Sequence, residues 1–428
     1  CGPSRSAILT GQPIWRLEEA GNIHSTLPAK FATYTGELQK AGYKTGYTGK
    51  GWSPGKLAPG GRSENPAGTS YAKRNLQPPF KAIRNTDYAG NFDDFLDAVE
   101  KEAPFCFWLG TSEPHRAYEK GAGKRTGKDP AKVIVPSIFP DNAIVRSDIL
   151  DYYVEVEHFD LMVERAIASL EKRGHLDNTI VVVTSDHGMP FPRAKASLYD
   201  WGSRVPLAIR WPRGIRNPGR DVKDFVHLSD LAPTFIEAAG ADVPSMMTAS
   251  SLMKIFSGQK MNDRDAAYFA MERHDGCREG GKGYPCRAVR TQDYLYIYNF
   301  EPGRWPSGSP DPRVCARSIP FGEIDTSPTK SFMMERRWEH GIAHLAELSF
   351  GMRPAEELYD LKKDPEQLAN VAGLIEYSAI QHARRRQLFD HLKKTHDPRV
   401  VGGKVDWDHY PYYGNISTPG WKVTEKKD

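Results

Sequence analysis

Up to residue 261 the chain alternates short unbroken apolar runs with stretches whose apolar positions recur at helical spacing. That is the pattern of an α/β sheet covered by helices. The runs at 104–110, 179–184 and 205–210 predict strands, each short and apolar with turn-forming residues close by. Between the first two, the spacing predicts a long helix over 147–173. Its apolar side would carry Leu150, Tyr153, Val154, Leu161, Ala166 and Leu170, and Gly174 would stop it. A second helix is predicted over 230–239, with Pro233 near its first turn and Gly240 at its end. The aperiodic stretches 54–79 and 120–136, the second rich in Gly, Lys and Pro, read as surface loops.

Beyond 261 the rhythm changes. Short strands are predicted at 288–299 and 357–361 and one long helix at 375–394, the profile of a smaller α+β unit. The expected organisation is a catalytic-size α/β domain over 1–261 and an α+β subdomain over 262–428. A length of 428 residues, more than one ordinary core, agrees with two units. No internal repeat is visible.

Composition narrows the class without choosing a function. At 39% hydrophobic and 26% charged residues the chain suits a globular enzyme. No run approaches the ~18 apolar residues of a membrane span. A formal charge of +4, from 58 basic against 54 acidic residues, is too balanced to argue for nucleic acid. Five cysteines (Cys1, Cys106, Cys277, Cys286, Cys315) are too few for a disulfide scaffold. Cys106 reads as a buried small hydrophobe, while Cys277 and Cys286 flank a Gly-rich loop and could pair.

Candidate chemistry begins at the first residue. In Cys1-Gly-Pro-Ser-Arg-Ser-Ala-Ile-Leu-Thr-Gly11, Pro3 can start a helix that Ser4 to Leu9 continue. Cys1 would then stand at a helix N-terminus, where free N–H groups and the dipole favour an anion, and Arg5 adds a charge one turn in. Taken alone, this reads first as a buried cysteine beside an ordinary helix start.

The spacing Cys-x-Pro-Ser-Arg followed by Leu-Thr-Gly resembles the signature of type I sulfatases. In that family the cysteine is oxidised to formylglycine by a formylglycine-generating or anaerobic sulfatase-maturing enzyme. The resemblance extends over most of the chain. Gly42-Tyr-Lys-Thr-Gly-Tyr-Thr-Gly-Lys50 is similar to the second signature, which implies Lys50 as the lysine bridging formylglycine and sulfate. Glu113-Pro-His115 resembles the segment whose histidine faces the sulfate, as general acid or sulfate-anchoring donor. Thr184-Ser-Asp-His-Gly188 resembles the metal segment, implying Asp186 and His187 as ligands. Lys195 corresponds to a lysine reaching the sulfate from the other side. The implied catalytic set is Cys1, Arg5, Lys50, His115 and Lys195. The implied fold is alkaline-phosphatase-like: a large, mostly parallel sheet between helices, with a smaller C-terminal α+β subdomain.

The chemistry explains the residue types. A hydrated aldehyde carries two hydroxyls: one displaces the sugar oxygen at sulfur, and the other lets sulfate leave by elimination, restoring the aldehyde. The transferring sulfuryl group spreads negative charge, so cations should surround it. Asp186 offers hard oxygen for Ca²⁺ first and Mg²⁺ second, and His187 is a softer ligand. Two departures stand out. The family's adjacent metal-binding aspartates lie upstream of the cysteine, and the sequence opens at Cys1. Where the family usually has a histidine two residues after the lysine, this chain has Trp52; His24 is one residue that could substitute in space.

Segments such as Glu113-Pro-His-Arg116, Met189-Pro-Phe-Pro192, Tyr284-Pro-Cys-Arg-Ala-Val-Arg290 and Thr395-His-Asp-Pro398 resemble the heparan sulfamidase group and its algal-polysaccharide relatives. The expected substrate is therefore a sulfated carbohydrate, with an ulvan-type O-sulfated polysaccharide ahead of N-sulfoglucosamine. Arg116, Arg193, Arg273, His274 and Arg287 lie in or near these segments and are candidate substrate contacts, since Arg forks match sulfate oxygens. A phosphonate or phosphodiester hydrolase of the same superfamily and an inactive glycan-binding homologue are the rival readings. The resemblance implies a periplasmic or secreted location, lysosomal in a eukaryote. The chain opens inside a motif, so its N-terminus says nothing of targeting.

Overall fold

Strands β1 (Lys44–Gly49), β2 (Thr69–Ser70) and β3 (Phe105–Gly110) form a parallel sheet in the order β2-β1-β3. The structure is a computed structural model and describes residues 1–259, 261 and 263–423. β1 and β3 run in register from Lys44 beside Phe105 to Gly49 beside Gly110. Both strands therefore end at one edge, where Lys50 and the loop to His115 begin. Gly49 is required there: its φ is +66°, and a Cβ on it would lie 2.2 Å from the Gly110 carbonyl oxygen. The sequence reading treated 42–50 as a motif only and missed β1, because glycines and threonines interrupt its apolar pattern.

β4 (Val181–Thr184) and β5 (Leu207–Arg210) pair antiparallel as a separate ribbon. All three strands predicted in this half are present, each beginning one or two residues later and ending where expected. The long helix spans Ala143–Lys172, four residues earlier than the pattern at 147 suggested. Asn142 caps it by accepting from the Ile144 and Val145 amides. Val145, Ile149, Leu150, Val154, Met162 and Leu170 are buried, at ~1.5–3 kcal/mol each relative to exposure for the large side chains. Tyr153 and Leu161, assigned to the apolar side, are 38% and 46% exposed. The helix turns Asp148, Asp151, Glu155 and His158 inward instead, a choice that helical spacing cannot announce.

β6 (Ala266–Met271), β7 (Cys286–Thr291), β8 (Tyr294–Asn299) and β9 (Glu356–Asp360) form an antiparallel sheet in chain order. The predicted run 288–299 is thus two strands of a hairpin, and β6 went unpredicted. Alternate residues serve opposite faces. Val289, Tyr296 and Leu358 pack on Leu388 and Leu392 of the helix Ser378–Lys394. Ala288, Leu295, Ile297 and Tyr359 pack on Leu198, Tyr199 and Tyr284. The second face thereby supports the loop that carries Lys195. The expected boundary falls at 261/262, and Asn262 lies outside the described residues. All five cysteines are free, so Cys277 and Cys286 do not pair.

Candidate active site

The helix Gly2–Thr10 has Cys1 as its N-cap, Pro3 in its first turn and Gly11 in the left-handed conformation at its end. Cys1 is half-buried, at the positive end of the helix. Arg5, 7% exposed, is fixed from three directions. Its Nε donates to Asp186 Oδ2 at 2.8 Å, and its Nη1 donates to the Lys50 and Gly51 carbonyls at 2.5 and 2.8 Å. Its guanidinium also lies over Trp108. One side chain thus joins the helix, the end of β1 and the end of β4.

Asp186 and His187 follow β4 directly. Gly188 is needed beside them because a Cβ there would meet the Trp201 carbonyl oxygen at 1.8 Å. The His187 Nδ1–H donates to the Gly188 carbonyl at 2.8 Å, which leaves the Nε2 lone pair 3.1 Å from Cys1 Sγ. Burial pushes the His187 pKa down to about 3, so the ring is neutral at pH 7. For Asp186 burial alone would raise the pKa, but His187, Arg5 and Lys50 hold the carboxyl well below its usual range. Lys50 is pushed down to about 8, by burial first and then by Arg5.

Lys195 is buried and donates to Asp325 Oδ2 at 2.6 Å. His115 stands in the loop after β3, its outer face open to solvent, and its Nδ1–H meets the Arg116 carbonyl at 2.5 Å. Desolvation of the ring and then Lys195 lower its pKa to about 4, well under the ordinary value of ~6.5 on which a resting proton donor would rely. Cys1, Arg5, Lys50, His115, Asp186 and His187 line one common cleft.

The structure gathers Cys1, Arg5, Lys50, Asp186 and His187 by direct contacts, with Lys195 and His115 beside them. The four arginines expected to bind substrate are corrected: each belongs to the scaffold. Arg116 forms a two-pronged pair with buried Asp148 at 2.7 and 2.9 Å and lies over Phe191 and Tyr118. Arg193 donates to the Leu348 and Gln367 carbonyls and covers Tyr199. Arg273 is wholly buried and reaches the Pro411 carbonyl. Arg287 is wholly buried between Glu272 and Asp397. Of the expected substrate contacts His274 keeps its place: its charge environment includes Lys195, and its Nε2, like Nε and Nη1 of Arg273 and Nε of Arg193, is buried without a hydrogen-bond partner among the described residues.

Trp52 does not stand in for the family histidine. It is 3% exposed and donates from Nε1 to Ser6 Oγ at 2.9 Å, inside the core. His24 packs its ring edgewise on Tyr412; the histidine touching Cys1 is His187. Asp325 and Glu323 are the site residues that sequence reasoning missed, since the segment 321–325 carries no spacing signal.

Cys1, Asp186 and His187 hold three ligand atoms within 4.8 Å of one another. This set alone does not fit a hard divalent cation. It offers one carboxylate, already engaged by Arg5, where Ca²⁺ takes six to eight oxygens.

Residues 1–241 match the family described as Sulfatase, and residues 190–305 match the C-terminal region of N-sulphoglucosamine sulphohydrolase. The chain is 25% identical over 405 residues to an ulvan-active sulfatase of Formosa agariphila, covering 93% of this chain and 71% of that protein. It is also 25% identical over 445 residues to N-sulphoglucosamine sulphohydrolase of Homo sapiens, covering 94% and 82%. Among solved structures, BT4656 in complex with its substrate D-glucosamine-2-N,6-O-disulfate superposes with a TM-score of 0.64 at 21% identity, covering 94% of this chain and 90% of that one. A phosphonate monoester hydrolase from Silicibacter pomeroyi superposes with a TM-score of 0.65 at 17% identity, covering 97% and 90%. At these identities the two structures speak for the alkaline-phosphatase-like fold alone.

Proposed function

The chain belongs to the sulfatase family of sulfuric ester hydrolases, and from that premise we propose that it removes sulfate from a sulfated carbohydrate through a formylglycine made from Cys1. The observation that carries this reading is the convergence of Arg5, Lys50 and Lys195 on Cys1 at a helix N-terminus. Three cations around one nucleophile position, with Asp186 and Asp325 as counter-charges, leave a surplus suited to a sulfuryl group. Once formed, the hydrated aldehyde supplies one hydroxyl to attack sulfur and a second whose deprotonation releases sulfate.

The chain's own residues do the rest. Arg5 fixes the helix end against β1 and β4, so the nucleophile cannot drift. Lys50 and Lys195 flank the sulfate. With its Nδ1–H given to the Gly188 carbonyl, the His187 Nε2 lone pair faces the Cys1 position as a candidate cation ligand, a task Trp52 cannot perform. His115 faces the leaving oxygen, either as general acid or as a sulfate-anchoring donor. With its pKa lowered to about 4, the ring is neutral at pH 7 in the free site, and an anionic sulfate beside it favours the protonated form. Asp186 and His187 are read as part of a Ca²⁺ or Mg²⁺ site whose remaining oxygens these residues do not supply, so no step is derived through a cation.

The relatives support ulvan-type polysaccharide and N-sulfoglucosamine as the substrate candidates, the first ahead of the second. A formylglycine-generating or anaerobic maturing enzyme is the proposed partner. A periplasmic, secreted or lysosomal location is the proposed compartment, and no helix among the described residues is long and apolar enough to cross a membrane. The division into 1–261 and 262–428 is likewise proposed. The test is mass analysis of the Cys1 peptide from active enzyme, alongside desulfation of a panel of sulfated oligosaccharides. Full activity with an unmodified Cys1 thiol would refute the mechanism.

A further inference from the structure

A site built to hold a sulfate should not need a carboxylate in its wall, yet Asp325 is there. Lys195 occupies only its Oδ2, at 2.6 Å. Among the described residues its Oδ1 accepts no hydrogen bond, and the side chain keeps 14% exposure. Beside it stands His274, whose Nδ1–H is committed to Glu323 Oε2 at 2.6 Å. Glu323 is itself locked by Arg278 at 2.7 Å, so the ring cannot turn. The remaining Nε2 is buried and unpartnered. A buried polar atom without a partner is costly, which makes it a pointer to an absent ligand. His115 and His274 both hold the Asp325 carboxyl low, after Lys195, and the charge of Asp325 registers on Lys50. The two groups therefore flank the cationic centre rather than lying in the scaffold. Arg317 is bound to Asp275, and its charge also senses Asp325.

The donor and acceptor roles then specify a ligand. With Nδ1–H given to Glu323, a neutral His274 presents an acceptor at Nε2, and ionised Asp325 presents another at Oδ1. Two acceptors, one on Asp325 and one on the histidine bound to Glu323 two residues before it, can bind two donors. We propose that Asp325 and His274 form a sugar subsite beside the scissile sulfate that recognises free ring hydroxyls, or a hydroxyl and an amine, and turns away a second sulfate at that position. This rests on the sulfatase reading and deepens it by naming a substrate class: sugars left unsulfated next to the group removed. A site built to hydrogen-bond hydroxyls rejects ligands lacking them, because its buried polar atoms are then left unpaired.

The experiment compares Asp325→Asn and His274→Asn with wild type on 4-nitrophenyl sulfate, which has no sugar hydroxyl, and on carbohydrate sulfates. The latter are N-sulfoglucosamine, N-acetylglucosamine 6-sulfate and ulvan oligosaccharides, with a disulfated form of whichever sugar is cleaved. Each variant should lose ~10-fold or more in kcat/KM on the sugar relative to the aryl ester, the usual scale for a charge-assisted hydrogen bond. Asp325→Asn should also narrow the preference for the monosulfated over the disulfated sugar. Equal losses on aryl and sugar esters would overturn the proposal and leave Asp325 as a seat for Lys195. A wild type that cleaves the aryl ester and no carbohydrate sulfate would instead sink the glycan reading, and this subsite with it. Should Asp325→Asn fail to fold, judged by its melting temperature, His274→Asn gives the same ratio alone.

Discussion

Two regions of this molecule bury arginine and lysine beside carboxylates, and they do opposite things with them. At the end of β7, Arg287 sits wholly buried between Glu272 and Asp397, and Arg399 pairs with Glu272 in turn. Each charge there has an opposite neighbour, and nothing is left for a ligand. Around Cys1, Arg5 and Lys195 each spend contacts on one carboxylate, while Lys50 forms no ion pair among the described residues. Burial of charge is common to both regions. Surplus of one sign belongs only to the second. Five basic or imidazole side chains near motif segments were expected to bind substrate, and the four arginines among them proved to be internal ties. A motif segment contains the scaffold of a site as well as the site.

The largest test of the contrast is removal of the nucleophile position. Cys1→Ala should abolish turnover while the melting temperature stays close to wild type, because the thiol makes one contact, with His187. Residual turnover within ~100-fold of wild type would point to catalysis by positioned charges alone.

His115 comes next, and it separates leaving-group chemistry from sulfate binding. His115→Ala should lose ~10²–10⁴-fold on sugar sulfates, whose alkoxide needs a proton, and far less on aryl sulfates. Equal losses on both esters would assign His115 to the sulfate itself.

Lys50 gives a smaller, graded effect. Its amine is pushed down to about 8, chiefly by burial, so it is a cation below that pH and neutral above it. The kcat/KM should therefore fall as pH rises through about 8, by up to ~10-fold per unit. In Lys50→Arg, whose charge does not titrate in this range, that limb should disappear at whatever rate remains. A limb unchanged in Lys50→Arg would assign the titration to another group.

What could be read from the sequence follows the same contrast. Cys1 and Arg5 lie one helical turn apart, and Asp186 and His187 directly follow a strand, so fixed local spacing exposed them. The strand-helix alternation was legible for the same reason, except where β1 hides its apolar pattern among glycines. Asp325 meets Lys195 across 130 positions, and no local pattern can announce such a partner. Trp52 was visible as a departure, but only the fold shows its indole turned into the core towards Ser6 and His187 occupying the place beside Cys1.

The smallest effect on activity should come from the region that looks most like a charge cluster. Arg287→Met removes a wholly buried cation and, among the described residues, leaves Glu272 with Arg399 alone and Asp397 with no ion-pair partner. Breaking a buried pair in this way costs ~3–5 kcal/mol, because the remaining charge cannot return to water. The melting temperature should fall by several degrees, while kcat/KM per folded molecule stays within about twofold, the expectation for a residue away from the chemistry. The double change Arg287→Met, Asp397→Asn should recover part of the lost stability, since it withdraws the stranded carboxylate while Glu272 keeps Arg399. A selective loss of activity on sugar sulfates in Arg287→Met, without a drop in melting temperature, would return Arg287 to the substrate site and erase the contrast.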